Sequence, residues 1–454
     1  MNLINQDTIF YHLFPLGACG APHENNFQST PINRISEIRG WLDHIQELGC
    51  NAMLLGPIFE SGSHGYDTAN YYEVDRRLGT IQAMRELSED IHARGMRLVL
   101  DGVFNHVGRN FWAFQDLQRH GRGSAYMDWF ADLRFDQQSP YGDSFSYACW
   151  NGHFNLVKLN LANPEVREHL FGAIRLWKQE FNIDGLRLDA ADALSFEFLK
   201  ALRAFGEQLD PGLWLMGEVI HGDYRRWANA ETLHATTNYE LYKSLYSAHS
   251  AHNQHELAYS LNRQFGPGGI YRDIPTLYNF VDNHDVSRVA SLLQNHAQLY
   301  PLTIALFGAP GVPSIYYGSE FMLEAVKGSS DWNLRPEFKP EEMGASQAAA
   351  DLAGHIRRLA SIRANTPALT RGGYAQQFVA ADQLVFERTL GDHHALVAIN
   401  SADLPARASF ALPGKAGWVF RDLLNGDEIF RVEQNGQLSL ALPPCWGRIL
   451  VNTF

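Results

Sequence analysis

Short β-branched or apolar runs recur along this chain with helical patterns between them, and that alternation constrains the fold more than any other feature. Ile9–Pro15, Cys50–Gly56, Arg97–Val103, Ile183–Ala190, Leu213–Val219, Leu277–Asp282 and Val312–Tyr317 read as strands. Between them, Ile35, Ile38, Leu42, Ile45 and Leu48 fall at helical spacing. Ala83–Arg94 and Glu165–Phe181 behave alike, with Pro164 just inside the second start and Asn163 as its N-cap. Repeated βα units imply a parallel sheet. About eight such units over some 360 residues favour a closed barrel over an open sheet.

Two regions break the alternation. From about Val107 to Asn155, a stretch rich in Gly, aromatic and polar residues interrupts one βα connection, and connections of that length are usually functional. After about Arg371 short strands take over: Gln376–Val379, Leu384–Thr389, Ala395–Ile399, Ala406–Ala411 and Arg448–Val451. Turn signals at Asn425-Gly426 and Asn435-Gly436 mark this tail as a small antiparallel β domain.

Composition narrows the function. The 454 residues carry a net charge of −13, which repels phosphate backbones, so nucleic acid is not an expected partner. Cys19, Cys50, Cys149 and Cys445 are too scattered for a zinc site and read as reduced, intracellular thiols. The opening Met-Asn-Leu-Ile-Asn-Gln-Asp has no basic, then apolar, leader pattern. The most apolar segment, Leu302–Tyr317, is broken by Gly308, Pro310, Gly311 and Pro313, so no membrane association is expected. The expected location is the cytoplasm.

In a β/α barrel the chemistry sits at the C-terminal strand ends. Four ends carry polar residues that a purely structural strand does not need: Asp101-Gly-Val-Phe-Asn105-His106, Gly185-Leu-Arg187-Leu-Asp189, Gly217-Glu218-Val219 and Phe280-Val-Asp282-Asn283-His284-Asp285. Any one of them could be a cap or a surface loop; four in barrel order converge on one mouth. Arg187 and Asp189, two apart on a strand, share a face, so the guanidinium is expected to keep the carboxylate ionised and to lower its pKa. Paired carboxylates with 12% aromatic residues for sugar stacking point to glycoside hydrolysis.

These four segments resemble, in order and spacing, the signature regions of the α-amylase family of glycoside hydrolases, and the likeness covers nearly the whole chain. The resemblance implies an α/β fold: a (β/α)8 TIM barrel (1–106 and 156–370), an inserted B domain after strand 3 (107–155) and a C-terminal β-sandwich (371–454). It implies Asp189 as nucleophile, Glu218 as general acid/base and Asp285 as transition-state stabiliser. Arg187, His106 and His284 would grip the sugar at the cleaved end, and Tyr66, in His64-Gly65-Tyr66-Asp67-Thr68, would stack under it. Asp331 and Arg335 match a pair contacting the next sugar.

Leu156-Val157-Lys158-Leu159-Asn160 and Glu218-Val-Ile-His221 are similar to signatures of the cyclomaltodextrinases and neopullulanases. Asp192 and Ala193 stand where endo-acting amylases place Lys-His. The resemblance therefore implies a retaining hydrolase of short or cyclic maltooligosaccharides, acting on α-1,4 and also α-1,6 bonds. An endo-α-amylase on starch, or a transglycosylase or isomerase on the same scaffold, is the alternative. The subgroup's extra N-terminal β domain, which builds its dimer, has no counterpart before the first strand, so a homodimer is left open. No cofactor is required by the resemblance; structural calcium is left open, with Asn105 matching one ligand. His249, His252 and His255, near Glu256, read as a solvated helix face.

Overall fold

The computed structural model describes residues 4–274, 276–339 and 346–453; the first three residues, part of the leader reading, lie outside them. Eight parallel strands close into a barrel: β1 (Phe10–Leu13), β2 (Ala52–Leu55), β3 (Arg97–Gly102), β4 (Gly185–Leu188), β5 (Trp214–Gly217), β6 (Ala235–Thr237), β7 (Thr276–Asn279) and β8 (Val312–Tyr316). Each strand pairs with its neighbours in sequence, and β8 closes onto β1 through Phe10↔Ser314.

The strand pattern explains which side chains enter the lumen. Leu98, Leu100, Leu186, Leu188 and Leu215 face outward and pack under the helices. Their alternates face inward. Phe10, Val99, Trp214, Met216 and Tyr278 fill the barrel's interior, while Asp101 and Arg187 are register partners across β3 and β4 near its mouth. A barrel interior is a packed core and not a pore.

The helices follow the expected spacing. Asn163 caps Pro164–Phe181 by accepting from the Glu165 N–H at 2.8 Å. Ile35–Leu48 differs in form: a 3₁₀ stretch, Ile35–Trp41, runs into a short α-helix, Leu42–Glu47, with Gly40 beside the join. Strand β6 is absent from the sequence reading. Ala-Thr-Thr has no apolar run, although all three residues are buried.

The interrupting segment folds around a helix, Trp112–His120, and a small antiparallel sheet of His106–Gly108, His153–Lys158 and Cys149–Trp150. This sheet extends past both ends of the composition break, taking in His106 and Lys158. The tail forms β9 (Gly373–Val379), β10 (Gln383–Leu390), β11 (His393–Asn400), β12 (Ala406–Ala411), β13 (Val419–Asp422), β14 (Ile429–Arg431), β15 (Gln437–Leu442) and β16 (Trp446–Thr453). A six-stranded sheet, β9-β10-β11-β16-β13-β14, carries the pair β12-β15 over its outer face, with Val385, Leu396, Phe410, Phe420 and Leu440 between them. Its inner face lies on the buried helix Leu299–Gly308 so closely that a Cβ on Gly308 would stand 2.9 Å from Val397.

The three histidines do not share a solvated helix face. His249 is fully buried near the end of one helix, Tyr239–Ser250, His252 lies in the turn after it at φ 52°, and His255 belongs to the next helix, Gln254–Phe265. Three residues, 251–253, separate the two helices, so no single helical period runs through the three histidines. No helix among the described residues is long and apolar enough to cross a membrane.

Candidate active site

Tyr66, His106, Asp189, Glu218, Asp285, Asp331 and Arg335 all line one cavity of about 580 Å³ at the C-terminal mouth of the barrel. Arg187 and His284 lie just beneath it, 3% and 1% exposed. The structure thus brings all nine sequence-derived residues to one place. Sequence reasoning missed Trp150, Ile220, Tyr239, Lys327 and Trp332 on the same walls. Tyr239 follows the missed strand β6, so no signal led to it.

Arg187 organises the floor. Its Nη1 donates to Asp101 at 2.9 and 3.0 Å and to Asp189 Oδ1 at 3.1 Å, and its Nη2 lies 2.8 Å from Glu218 Oε1. One guanidinium therefore serves three carboxylates. This corrects the expectation of a lowered Asp189 pKa: burial comes first and raises it, and Glu218 and Asp101 add like charge that Arg187 does not offset. Burial also raises Glu218 and Asp101 against the pull of Arg187. The cluster consequently holds a proton at pH values where isolated carboxylic acids have lost theirs.

Asp285 differs. Burial works to raise it, but the hydrogen bond and charge of His284 at 2.9 Å, with Arg335 at 2.9 Å and Arg187, hold it well below the usual carboxylate range. Arg335 is itself aligned by donating through Nε to the His284 carbonyl at 3.0 Å, and Asp331 lies 3.7 Å from its Nη2. Asn283 accepts from the Asp285 N–H at 2.8 Å and fixes that turn.

Tyr66 donates to Asp101 at 2.9 Å, so with one hydroxyl proton it can only accept from His284 Nε2 at 2.5 Å. That places the His284 proton on Nε2. The two rings stack at 5.3 Å and 14°, and Phe14 packs against both, 5.6 Å from His284 and 6.4 Å from Tyr66. Burial pushes His106 down to about 3, and it also lowers His284. His106 Nε2, 3.8 Å from Asp189 Oδ2, has no hydrogen-bond partner.

The carboxylates are aimed by backbone detail. Ala190, directly after Asp189, adopts φ 44°, which costs an L-residue about 1–2 kcal/mol. The turn points the Ala190 N–H at Glu218 Oε2, 3.3 Å away. Thr237 Oγ1, at the end of β6, accepts from the Val219 N–H at 3.0 Å and anchors the residue after Glu218.

Beyond Glu218 a second cavity of about 460 Å³ shares Trp150, Glu218 and Ile220 with the first. Lys158, Asp192, Ala193 and His221 line it. Trp150 belongs to the inserted segment, so that segment forms one wall of a continuous cleft.

Asn105 Oδ1, the atom matched to a calcium ligand, is buried without a partner beside a cavity whose charged lining is Lys158, Asp192 and Glu218. Among the described residues, no three His, Cys, Asp or Glu side chains group as a metal set.

Residues 27–366 match the family model described as the α-amylase catalytic domain. The chain is 30% identical to neopullulanase 2 of Thermoactinomyces vulgaris, over 92% of this chain and 71% of that protein. It is 29% identical to a cyclomaltodextrinase of Geobacillus thermopakistaniensis strain MAS1, over 97% and 76%. The native form of the Nostoc punctiforme debranching enzyme superposes with a TM-score of 0.83 at 28% identity, over 100% of both chains. With barrel, cleft and sequence in agreement, the chain belongs to the α-amylase family and is a glycosidase.

Proposed function

We propose that this enzyme hydrolyses α-1,4 and α-1,6 glucosidic bonds in short or cyclic maltooligosaccharides with retention of configuration. The observation that carries this reading is the convergence of Asp189, Glu218 and Asp285 on one cavity, with Arg187 holding the first two and Arg335 the third. Asp189 is the nucleophile. Arg187 occupies its Oδ1, which leaves Oδ2 to attack the anomeric carbon. Glu218 is the acid: Arg187 and Tyr239 both donate to Oε1, so the transferable proton sits on Oε2. It passes to the glycosidic oxygen as that bond breaks. Ionised Glu218 then takes a proton from water, which displaces Asp189 from the sugar.

Asp285, kept anionic by Arg335, stabilises the positive charge that develops on the ring. His106, His284 and Arg187 hold the sugar at the cleaved end, Tyr66 stacks under it, and Asp331 and Arg335 contact the next unit. The names of the relatives support α-glucan substrates: a cyclomaltodextrinase, a neopullulanase and a debranching enzyme. The four free cysteines fit the cytoplasm as its compartment.

Product analysis on maltotetraose, a cyclodextrin and a branched maltooligosaccharide tests the reading. Cleavage of the cyclic and short substrates is expected, and Asp189→Asn is expected to lose at least about a thousandfold in kcat. Activity of Asp189→Asn within tenfold of wild type would reject the assignment.

A further inference from the structure

We propose that Tyr239 is a positioning residue that fixes the orientation and proton affinity of Glu218. The inference rests on the role given to Glu218 above and deepens it. Tyr239 is the first residue of the helix that follows β6, held there because Asn238 caps the helix by accepting from the Leu241 N–H at 3.1 Å. The Asn238 amide in turn donates to Asn279 and to Gln264, both at 2.9 Å, so the cap is locked to β7 and to the neighbouring helix.

The hydroxyl is polarised in one direction. Asn283 Nδ2 donates to the Tyr239 oxygen at 3.0 Å, and the remaining O–H donates to Glu218 Oε1 at 3.1 Å. Asn283 also holds the Asp285 N–H, so one amide side chain aligns the settings of both carboxylates. The Tyr239 ring meets Phe280 edge-on at 4.9 Å and Tyr242 at 6.1 Å, which leaves the hydroxyl little freedom. Burial, then Glu218 and Asp285, push its phenol well above the ordinary value, so it stays a donor wherever the enzyme works.

The groups facing Glu218 are Arg187 from β4, Asp189 and the Ala190 N–H beyond it, Asp285 after β7, and Tyr239 after β6. Burial and Asp285 favour the protonated form; Arg187, the Ala190 N–H and Tyr239 favour the ionised form. Tyr239 thus opposes an excessive rise and keeps Glu218 able both to give its proton in the first step and to accept one in the second.

Tyr239→Phe keeps the ring and removes only the donor. The alkaline limb of kcat/KM on maltotetraose, where Glu218 loses its proton, is expected to move up by about one pH unit. At the plateau kcat/KM is expected to fall about tenfold on maltotetraose and to stay within about twofold on an aryl α-maltoside with a good leaving group, which needs no protonation. An unmoved limb, or equal losses on both substrates, would mean a merely structural role and overturn the proposal. Incorporation of 3-fluorotyrosine at position 239 supplies a second test if the Phe variant does not fold: its stronger O–H donor is expected to move the limb down, and an unmoved limb counts against the proposal. Glu218→Gln tests the underlying reading separately. Wild-type rates on maltotetraose in that variant would remove Glu218 from its role, whereas a failure confined to Tyr239 leaves that role standing.

Discussion

Arg187 and Asp189 meet across 3.1 Å at the mouth of the barrel, two residues apart on one face, yet the same guanidinium also holds Asp101 and Glu218. Its charge is divided, and the arrangement has consequences for stability as well as for catalysis.

Arg187→Met would leave Asp101, Asp189 and Glu218 buried without their counter-ion, and breaking a buried pair in this way costs about 3–5 kcal/mol. Burial already places these three carboxyls above their ordinary values, and losing Arg187 raises them further. A carboxyl with a raised folded pKa adds stability below its unfolded value, near 4, and loses it as pH climbs through the folded value. The variant's deficit relative to wild type is therefore expected to grow between pH 5 and pH 8. Urea unfolding at both pH values measures it; a deficit independent of pH would show that Arg187 does not neutralise this cluster.

Glu218→Gln is expected to lose at least about a hundredfold on maltotetraose and to recover much of the first step on aryl α-maltosides, because a good leaving group departs without protonation. Stopped-flow release of the aryl group resolves that step. Equal impairment on both substrates would place the proton donor elsewhere.

Activity is expected to survive dialysis against a chelator, since among the described residues no three His, Cys, Asp or Glu side chains group as a metal set. Loss on chelation with recovery on adding calcium would overturn that expectation.

How far the sequence could be read follows from what each element shows on its surface. Strands such as Arg97–Gly102 and Val312–Tyr316 are apolar runs, and seven of the eight barrel strands stood out for that reason. Ala235–Thr237 is three residues long and two-thirds Thr, so it offered neither apolar run nor alternation. The hydrogen bonds that Thr237 and Tyr239 make to the Glu218 region were hidden with it. In the tail, Val419–Asp422 and Ile429–Arg431 went unread because each has only two apolar residues in a row, and Gln437–Leu442 was missed although Leu438, Leu440 and Leu442 alternate. The nine site residues came from motif order, which carries proximity but not charge balance. The direction of the Asp189 shift depends on Asp101 and Glu218 sharing its arginine, a relation between three strands that local spacing does not contain.

Short or cyclic maltooligosaccharides are expected to show at least about tenfold higher kcat/KM per cleavable linkage than soluble starch, a difference of about 1.4 kcal/mol in transition-state binding. Trp150 walls one side of the cleft, and Asp192 and Ala193 line the far cavity in place of a Lys-His pair. Rates on maltotetraose, a cyclodextrin and starch decide the matter; equal or better values on starch would favour an ordinary endo-amylase.

The central claim is that Asp189 forms a covalent bond to the sugar, and the stereochemistry of the first product tests it most directly. Proton NMR during the first minutes of maltotetraose hydrolysis, before mutarotation, separates the two anomers. A double displacement through Asp189 yields the α-anomer first. Initial appearance of the β-anomer would contradict the nucleophile, the acid/base assignment and the two-step mechanism together.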